Sequence, residues 1–128
     1  MCWGGGHRPH TNDIELLHIA DLLVKVRTRV YSIKAGNVRH AHEWQVWREV
    51  ELPEGRVLMP GVISHGTDLV EHPELAAERL QNYASVVGRE RVQAGSDRGM
   101  GSRVGHSEIV WAKLQAAADG ARLASVRL

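Results

Sequence analysis

Three short apolar segments, separated by stretches with helical character, constrain this fold more than any other feature of the chain. The segments cover residues 30–35, 56–63 and 91–96, and each leads into glycine or polar residues. Alternation of strand and helix predicts parallel strands joined by right-handed crossovers. We therefore expect an α/β protein of parallel βα repeats, with a single domain over residues 1–128.

The first two helical stretches are marked by their apolar residues. Residues 14–26 follow Asp13, a residue type that caps helices, and are predicted to form a helix buried on more than one side. Residues 42–50 are predicted to form a second helix, with Trp44 and Trp47 on one face.

The last two helices have clearer boundaries. Residues 71–88 are predicted to form a helix with Pro73 in its first turn and Gly88 at its end. A closing helix is expected over residues 107–123. Its buried side is predicted to carry small and apolar residues, namely Ile109, Val110, Leu114, Ala117 and Ala121.

The length of the chain limits how much of a closed sheet it can build. A barrel of eight βα repeats needs about 250 residues, and this chain has 128. The pattern therefore predicts a partial TIM barrel, its C-terminal half, that begins where a strand should already be ending. A half barrel leaves two strand edges and one face of its core uncovered. We expect self-association, with a second copy of the chain covering these surfaces.

Composition excludes several classes of partner. The formal net charge is +1 and 24% of residues are charged, so no basic stripe for nucleic acid is expected. No apolar run approaches the roughly 18 residues of a membrane span, and the N-terminus lacks a secretion pattern. The single cysteine, Cys2, excludes an internal disulfide and fits a cytoplasmic setting.

Polar and charged residues follow each predicted strand, where chemistry collects in parallel α/β proteins. Lys34 ends the first strand, His65 follows the second, and Asp97 and Arg98 follow the third. His65 and Asp97 are candidate catalytic residues, because a histidine oriented by a carboxylate is a general acid–base pair. The alternative is a structural hydrogen bond that ties two strand ends together. Lys34 and Arg98 suit a carboxylate or phosphate ligand, unless they pair with Asp97 and Glu71 or reach solvent.

Six motifs, distributed over nearly the whole chain, carry a family resemblance. They are Cys2-Trp3-Gly4, Pro9-His10-Thr11-Asn12-Asp13, Arg39-His40-Ala41-His42-Glu43-Trp44, Pro60-Gly61-Val62-Ile63-Ser64-His65, Val70-Glu71-His72-Pro73-Glu74 and the turn at Asp97. Together they resemble the vitamin-B12-independent methionine synthase family. The resemblance implies a barrel with one zinc, bound by a His-x-Cys pair, a glutamate and a distant cysteine. That zinc holds a thiol substrate as a thiolate, which then accepts a methyl group from a folate or similar donor.

Carried over by position, the family's zinc site is mostly missing. Cys2 matches the cysteine of the His-x-Cys pair, but the histidine would precede Met1. Lys34 stands where relatives carry the glutamate, and Arg98 where they carry the second cysteine. A zinc ion held by one thiolate beside two cations would meet repulsion where it needs negative charge. His65 matches a histidine that the family uses next to the metal. We therefore expect the zinc chemistry to be lost and no cofactor to be bound, with zinc the one candidate.

Three functions stay open at this stage. The leading one is a degenerate methionine-synthase-like half barrel with a pocket for a small anionic ligand around Lys34, His65, Asp97 and Arg98. The second is a small-substrate hydrolase or residual transferase. Its metal or acid–base site would be assembled between subunits from Cys2, His7, His10, His65 and Asp97. The third is a non-catalytic interaction module that completes the half barrel of a full-length relative.

One further cluster, His40-Ala41-His42-Glu43, has the residue types of a metal site. The two histidines would share a face in a strand but not in a helix. The family carries this stretch without using it for its main zinc. We therefore expect these residues to serve packing or the start of a helix.

Overall fold

A computed structural model of the protein describes residues 1–6, 9–101 and 103–128. Three strands form one parallel sheet in the order β1-β2-β3: β1 (Val30–Ile33), β2 (Val57–Ile63) and β3 (Gly95–Ser96). The described residues also form three α-helices, α1 (Ala20–Leu23), α2 (Pro73–Val87) and α3 (Ser107–Arg127). A 3₁₀ turn at Leu16–His18 precedes α1, one at Glu43–Arg48 lies between β1 and β2, and one at Arg89–Arg91 lies between α2 and β3. The predicted mixed α/β architecture with parallel strands is confirmed.

The sheet is covered on its helical side by two groups of buried residues. One group lies around β1 and the first half of β2, and includes Tyr31, Ile33, Trp47, Leu58 and Tyr83. The other lies between the end of β2 and helices α2 and α3, and includes Val62, Ile63, Ala76, Leu80 and Ala124. Because β2 contributes to both groups, its carboxyl end is held from the β1 side and from the helix side.

Helix α2 follows its sequence signals closely. Pro73 occupies the first turn, and the His72 side chain accepts a hydrogen bond from the Glu74 N–H at 3.2 Å, which caps the helix. The helix ends at Gly88, whose φ of 92° is a conformation that other residues rarely adopt. The predicted bounds of this helix are confirmed to within two residues.

Helix α3 packs against α2 through a small-residue contact. A Cβ on Gly120 would lie 2.5 Å from the Cβ of Ala76, so the two helices approach as closely as glycine allows. The buried residues of α3 are Lys113, Ala116, Gly120 and Ala124. The predicted buried side is confirmed in part: Val110, Ala117 and Ala121 are partly buried against the core, while full burial falls on the neighbouring row where the two helices approach most closely. Leu114, predicted to be buried, is 38% exposed.

The first predicted helix is wrong in extent. Residues 14–26 form only the 3₁₀ turn at Leu16–His18 and the single turn of α1. Four of its apolar residues are exposed, namely Ile14, Leu17, Leu22 and Val26. The Tyr31 hydroxyl donates to the carbonyls of Val24 and Val26 at 2.9 Å, which supports a turn in place of a longer helix. The stretch at 42–50 is likewise a 3₁₀ turn.

The third strand is shorter than predicted. Residues Arg89–Arg91 form a 3₁₀ turn, Val92 makes only an isolated parallel bridge to Leu58, and regular pairing starts at Gly95. The Arg91 guanidinium donates to backbone carbonyls of the turn before β2, which holds residue 91 outside the sheet. Among the described residues, no helix combines the length and apolarity needed to cross a membrane.

Candidate functional site

The carboxyl ends of the three strands lie at one edge of the sheet and bring the predicted site residues together. Lys34 directly follows β1, His65 comes two residues after β2, and Asp97 directly follows β3. Lys34 and His65 line one shallow pocket of about 170 Å³, together with Gly5, Gly6, Asn37, Val38, Arg39, Ser64 and Gly66. Two of the predicted site residues, Lys34 and His65, therefore share a pocket, and Asp97 lies at the end of the adjacent strand.

Asp97 is committed to backbone groups of the neighbouring loop. Its Oδ1 accepts from the N–H of Ala35 at 2.8 Å and from the N–H of Gly36 at 2.6 Å. Its own N–H donates to the carbonyl of Ile63 at 3.1 Å. The residue thereby joins the end of β3 to the end of β2 and to the loop after β1. This is the structural alternative considered for Asp97, with backbone partners in place of His65.

Two glycines make room for this carboxylate. A Cβ on Gly61 would lie 2.1 Å from Asp97 Oδ1, which is impossible without displacement. A Cβ on Gly36 would lie 3.1 Å from the same atom and 2.8 Å from the carbonyl of Ile63. Glycine is needed at both positions because the Asp97 carboxylate passes over β2 against bare backbone.

His65 is buried, with 3% of its surface exposed, and neither of its ring nitrogens has a hydrogen-bond partner among the described residues. Its pKa is lowered from the usual value, first by burial and then by the charge of Lys34; Asp97 opposes this, while Arg98 and Arg103 add to it. The ring is therefore neutral at pH 7, with one N–H donor and one acceptor nitrogen. Because the carboxylate of Asp97 is bonded elsewhere, a catalytic pairing with His65 stays a prediction.

Lys34 is a buried cation, 3% exposed, and makes no ion pair among the described residues. Its ammonium donates to the carbonyl of Gly4 at 2.7 Å. Neither of the carboxylates considered as partners takes this role, since Glu71 is paired with Lys113 at 2.7 Å. Burial of a cation without a carboxylate is unfavourable, and a bound anion would relieve it.

The N-terminal segment forms one wall of the pocket, which sequence reasoning missed. The carbonyl of Met1 accepts from the Lys34 N–H at 3.2 Å, and the amino group of Met1 donates to the carbonyl of Ser32. The segment thus follows the open edge of β1 and leads Gly5 across the pocket. A Cβ on Gly5 would lie 2.9 Å from Arg98 Nη1 and 3.0 Å from His65 Nε2. The glycine run at residues 4–6 was the available signal.

A buried ion pair supports the loop that carries His65. Lys113 of α3 is fully buried and donates to Glu71 Oε2 at 2.7 Å and to the carbonyl of Leu69. The other oxygen of Glu71 accepts from the Ser64 N–H at 2.7 Å. Helix α3 is thereby connected to the residue preceding His65. Nothing in the helical pattern indicated that Lys113 faces inward.

The cluster at residues 40–43 has a packing role. His40 bonds Glu43 Oε2 through Nδ1 at 2.8 Å and approaches Asp13 Oδ2 through Nε2 at 3.3 Å. Trp3 stacks on its ring at a centroid distance of 4.0 Å. Glu43 also accepts from the Leu16 N–H at 2.7 Å, so the cluster anchors the N-terminal segment. The expectation of packing fits these contacts.

The donor set at the strand ends does not fit zinc. Cys2 is exposed, and its Sγ accepts from the Gly4 N–H at 3.3 Å. Over residues 1–6, 9–101 and 103–128, no group of three or more His, Cys, Asp or Glu is arranged to hold a metal ion. His7, named in the intersubunit alternative, lies outside the described residues. The nearby cations Lys34 and Arg98 are the opposite of what a metal requires.

The fold and site together define a partial parallel βα protein with a cationic pocket at its strand ends. No family model and no curated protein matches the sequence. Among solved structures, the chain is similar to a B12-independent methionine synthase from Shewanella sp. W3-18-1, determined in complex with selenomethionine. The similarity has a TM-score of 0.70 at 22% identity, and covers 83% of this chain and 29% of that structure. At this identity the likeness concerns the fold, and the chain spans less than a third of its neighbour.

Proposed function

We propose that this chain is a methionine-synthase-like half barrel that has lost zinc-dependent thiol methylation and binds a small anion at its strand ends. The observation that carries the proposal is one pocket that holds two buried groups: the ammonium of Lys34, which has no carboxylate partner among the described residues, and His65, whose ring nitrogens have no hydrogen-bond partner there. Arg98, whose guanidinium lies next to Gly5, adds a second cation at the mouth. A carboxylate or phosphate would supply the charge and acceptor oxygens that these groups lack.

The test is a titration of ¹⁵N-labelled protein with acetate at pH 7.5 and low salt, followed by amide chemical shifts. We expect saturable shifts at residues 34–37 and 64–66. Lys34→Met should weaken binding at least tenfold, whereas Lys25→Met, at an exposed position, should leave it unchanged. Shifts that do not saturate, or that persist in Lys34→Met, would show that the pocket is not an anion site.

A second candidate, acid–base catalysis on a small substrate, is favoured by one observation. His65 is buried with a lowered pKa, and within the described part of the chain neither ring nitrogen has a partner, which suits proton transfer near pH 7. Under this reading, a hydrolase or residual transferase activity would be abolished by His65→Gln and retained by His18→Gln, a change at an exposed histidine. Equal turnover in the two variants would remove this candidate.

A further inference from the structure

The pocket carries a hydrogen-bonding requirement that a simple anion leaves unmet. A carboxylate has only acceptor oxygens, so it can satisfy the ammonium of Lys34 and the N–H of a neutral His65. The second nitrogen of His65 is an acceptor, and it has no donor among the described residues. A buried acceptor without a donor is costly, so the fitting ligand carries a donor beside its anionic group.

The charges around His65 decide what kind of donor this is. Lys34, Arg98 and Arg103 all act on the ring as cations, and Arg39 lines the same pocket. An ammonium group would meet these cations, while the nearest carboxylate, Asp97, already accepts from two backbone N–H groups. A hydroxyl group supplies a donor without adding positive charge.

One bound carboxylate does not change the state of the ring. Burial is the largest cause of the lowered pKa of His65, and a ligand that excludes water preserves that cause. The cations Lys34, Arg98 and Arg103 also continue to oppose protonation of the ring when a ligand is bound. The acceptor nitrogen therefore persists when the ligand is present, and the need for a donor persists with it.

The size of the pocket limits the ligand. Its volume is about 170 Å³, which restricts the ligand to a small molecule. Both ring nitrogens are covered in this structure, and Nε2 is covered by the backbone of Gly5, which has no side chain. A ligand therefore reaches the ring only if this glycine segment shifts, and the binding experiment below tests that requirement.

From the anion site proposed above, we propose that the pocket takes a small hydroxy carboxylate in preference to an amino acid or a plain carboxylate. The carboxylate lies between Lys34 and Arg98, and the hydroxyl donates to the acceptor nitrogen of His65.

The experiment compares glycolate, acetate and glycine, which differ only in the group beside the carboxylate. Dissociation constants are measured by the same amide-shift titration at pH 7.5 with the wild-type chain. One added hydrogen bond is worth about 1 kcal/mol, so we expect glycolate to bind roughly fivefold more tightly than acetate. Glycine should bind more weakly than acetate.

Variants at His65 identify the source of the preference. In His65→Phe the glycolate preference over acetate should disappear, and His18→Gln serves as the matched control. If His65→Phe does not fold, His65→Leu is used; its side chain has no acceptor atom, so the preference should again disappear.

The outcomes separate this proposal from the one on which it rests. Absence of saturable binding by all three ligands would overturn the anion site itself. Equal affinity for acetate and glycolate would overturn the hydroxyl preference and leave the anion site standing. Tighter binding of glycine than of glycolate would show that the pocket accepts an ammonium group and would also overturn the preference.

Discussion

At the scale of single residues, the role of Asp97 depends on the absence of a side chain at Gly61. Its carboxylate reaches the N–H groups of Ala35 and Gly36 only because Gly61 leaves the space over β2 open. Two charge-assisted hydrogen bonds to buried backbone make this residue a structural tie between strand ends. A carboxylate held in this way is poorly placed to orient His65 as well.

Substitution of Gly61 by alanine tests this tie. The new Cβ would lie 2.1 Å from Asp97 Oδ1, so the carboxylate must move and its backbone bonds must lengthen. We expect Gly61→Ala to lower the free energy of unfolding by about 3 kcal/mol, at the upper end for overpacking, as measured by urea denaturation. Gly99→Ala is the control, since a Cβ on Gly99 meets nothing within 4 Å. Equal stability of the two variants would contradict the assigned role of Asp97.

The pH dependence of stability tests the state of His65. The folded pKa is lowered, so the unfolded chain takes up a proton at this residue at a higher pH than the folded chain. The stabilisation that comes from neutral His65 is therefore complete above the unfolded pKa of about 6.5 and is lost as the pH falls below it. His65→Gln should show a smaller fall in unfolding free energy between pH 7.5 and 5.5 than the wild type. His18→Gln should follow the wild-type curve, and parallel curves for wild type and His65→Gln would count against a depressed pKa.

At the scale of elements, α3 is the part of the fold that holds the His65 loop in place. Its Lys113 is paired inside the protein with Glu71, and Glu71 in turn holds the N–H of Ser64. Helix α3 thus contributes to the pocket without lining it, because it fixes the residue next to His65.

Removal of one partner of this buried pair should be costly. Lys113→Met leaves Glu71 charged and buried, and we expect a loss of about 3–5 kcal/mol of unfolding free energy. The double variant Lys113→Met with Glu71→Gln should recover part of that loss, because no unpaired charge remains. Lys25→Met, at an exposed position, should change stability by less than about 0.5 kcal/mol. Thermal or urea denaturation of the four proteins checks the series, and a double variant less stable than Lys113→Met would contradict the pairing.

Sequence patterns predicted the elements whose signals are local. The strands β1 and β2 and the helix α2 follow from apolar runs, Pro73 and Gly88. The prediction of one helix over residues 14–26 failed because the apolar residues of this segment do not share one helical stripe. The contacts of Tyr31 with Val24 and Val26 support short turns instead. Long-range contacts of this kind leave no mark in the periodicity of a segment.

The candidate site, too, could be predicted from the sequence only in part. Placement of Lys34, His65 and Asp97 at one edge could be predicted, because parallel strands bring their carboxyl ends together. The partners of these residues could not be predicted, since they depend on how the backbone approaches: the Asp97 bonds require Gly61, and Lys34 bonds the backbone carbonyl of Gly4. The buried position of Lys113 depends on the packing of α3 against α2.

At the scale of the whole molecule, the positive charges at the strand ends lead to a prediction about the zinc content of the purified protein. With Lys34 and Arg98 at the strand ends and Cys2 the one cysteine of the chain, zinc lacks the anionic donors it needs. Mass spectrometry of tag-free protein purified without chelators should find well under one zinc per chain. A stoichiometry near one would contradict the proposed loss of the zinc site and would require ligands beyond those described.

The small open sheet leads to a further prediction, that the chain associates with a second copy of itself. The described part of the chain provides three parallel strands, and β3 presents an outer edge of only two residues. Several large apolar side chains are exposed, among them Trp111 at 70% and Leu69 at 77%. Exposed apolar surface of this kind is commonly covered by a partner, and a second copy of the chain is the partner always present. We therefore expect light scattering during size-exclusion chromatography to give at least twice the chain mass of 14.2 kDa.

Dilution distinguishes specific self-association from weak adhesion. A specific dimer should keep its mass over a tenfold dilution into the low micromolar range, and Trp111→Lys should lower it if α3 lies in the contact. Lys25→Met, remote from α3 in sequence and exposed, should behave as the wild type. A monomer mass at every concentration would show that these strands and helices are sufficient without a second copy, because the Met1 backbone already occupies part of the β1 edge.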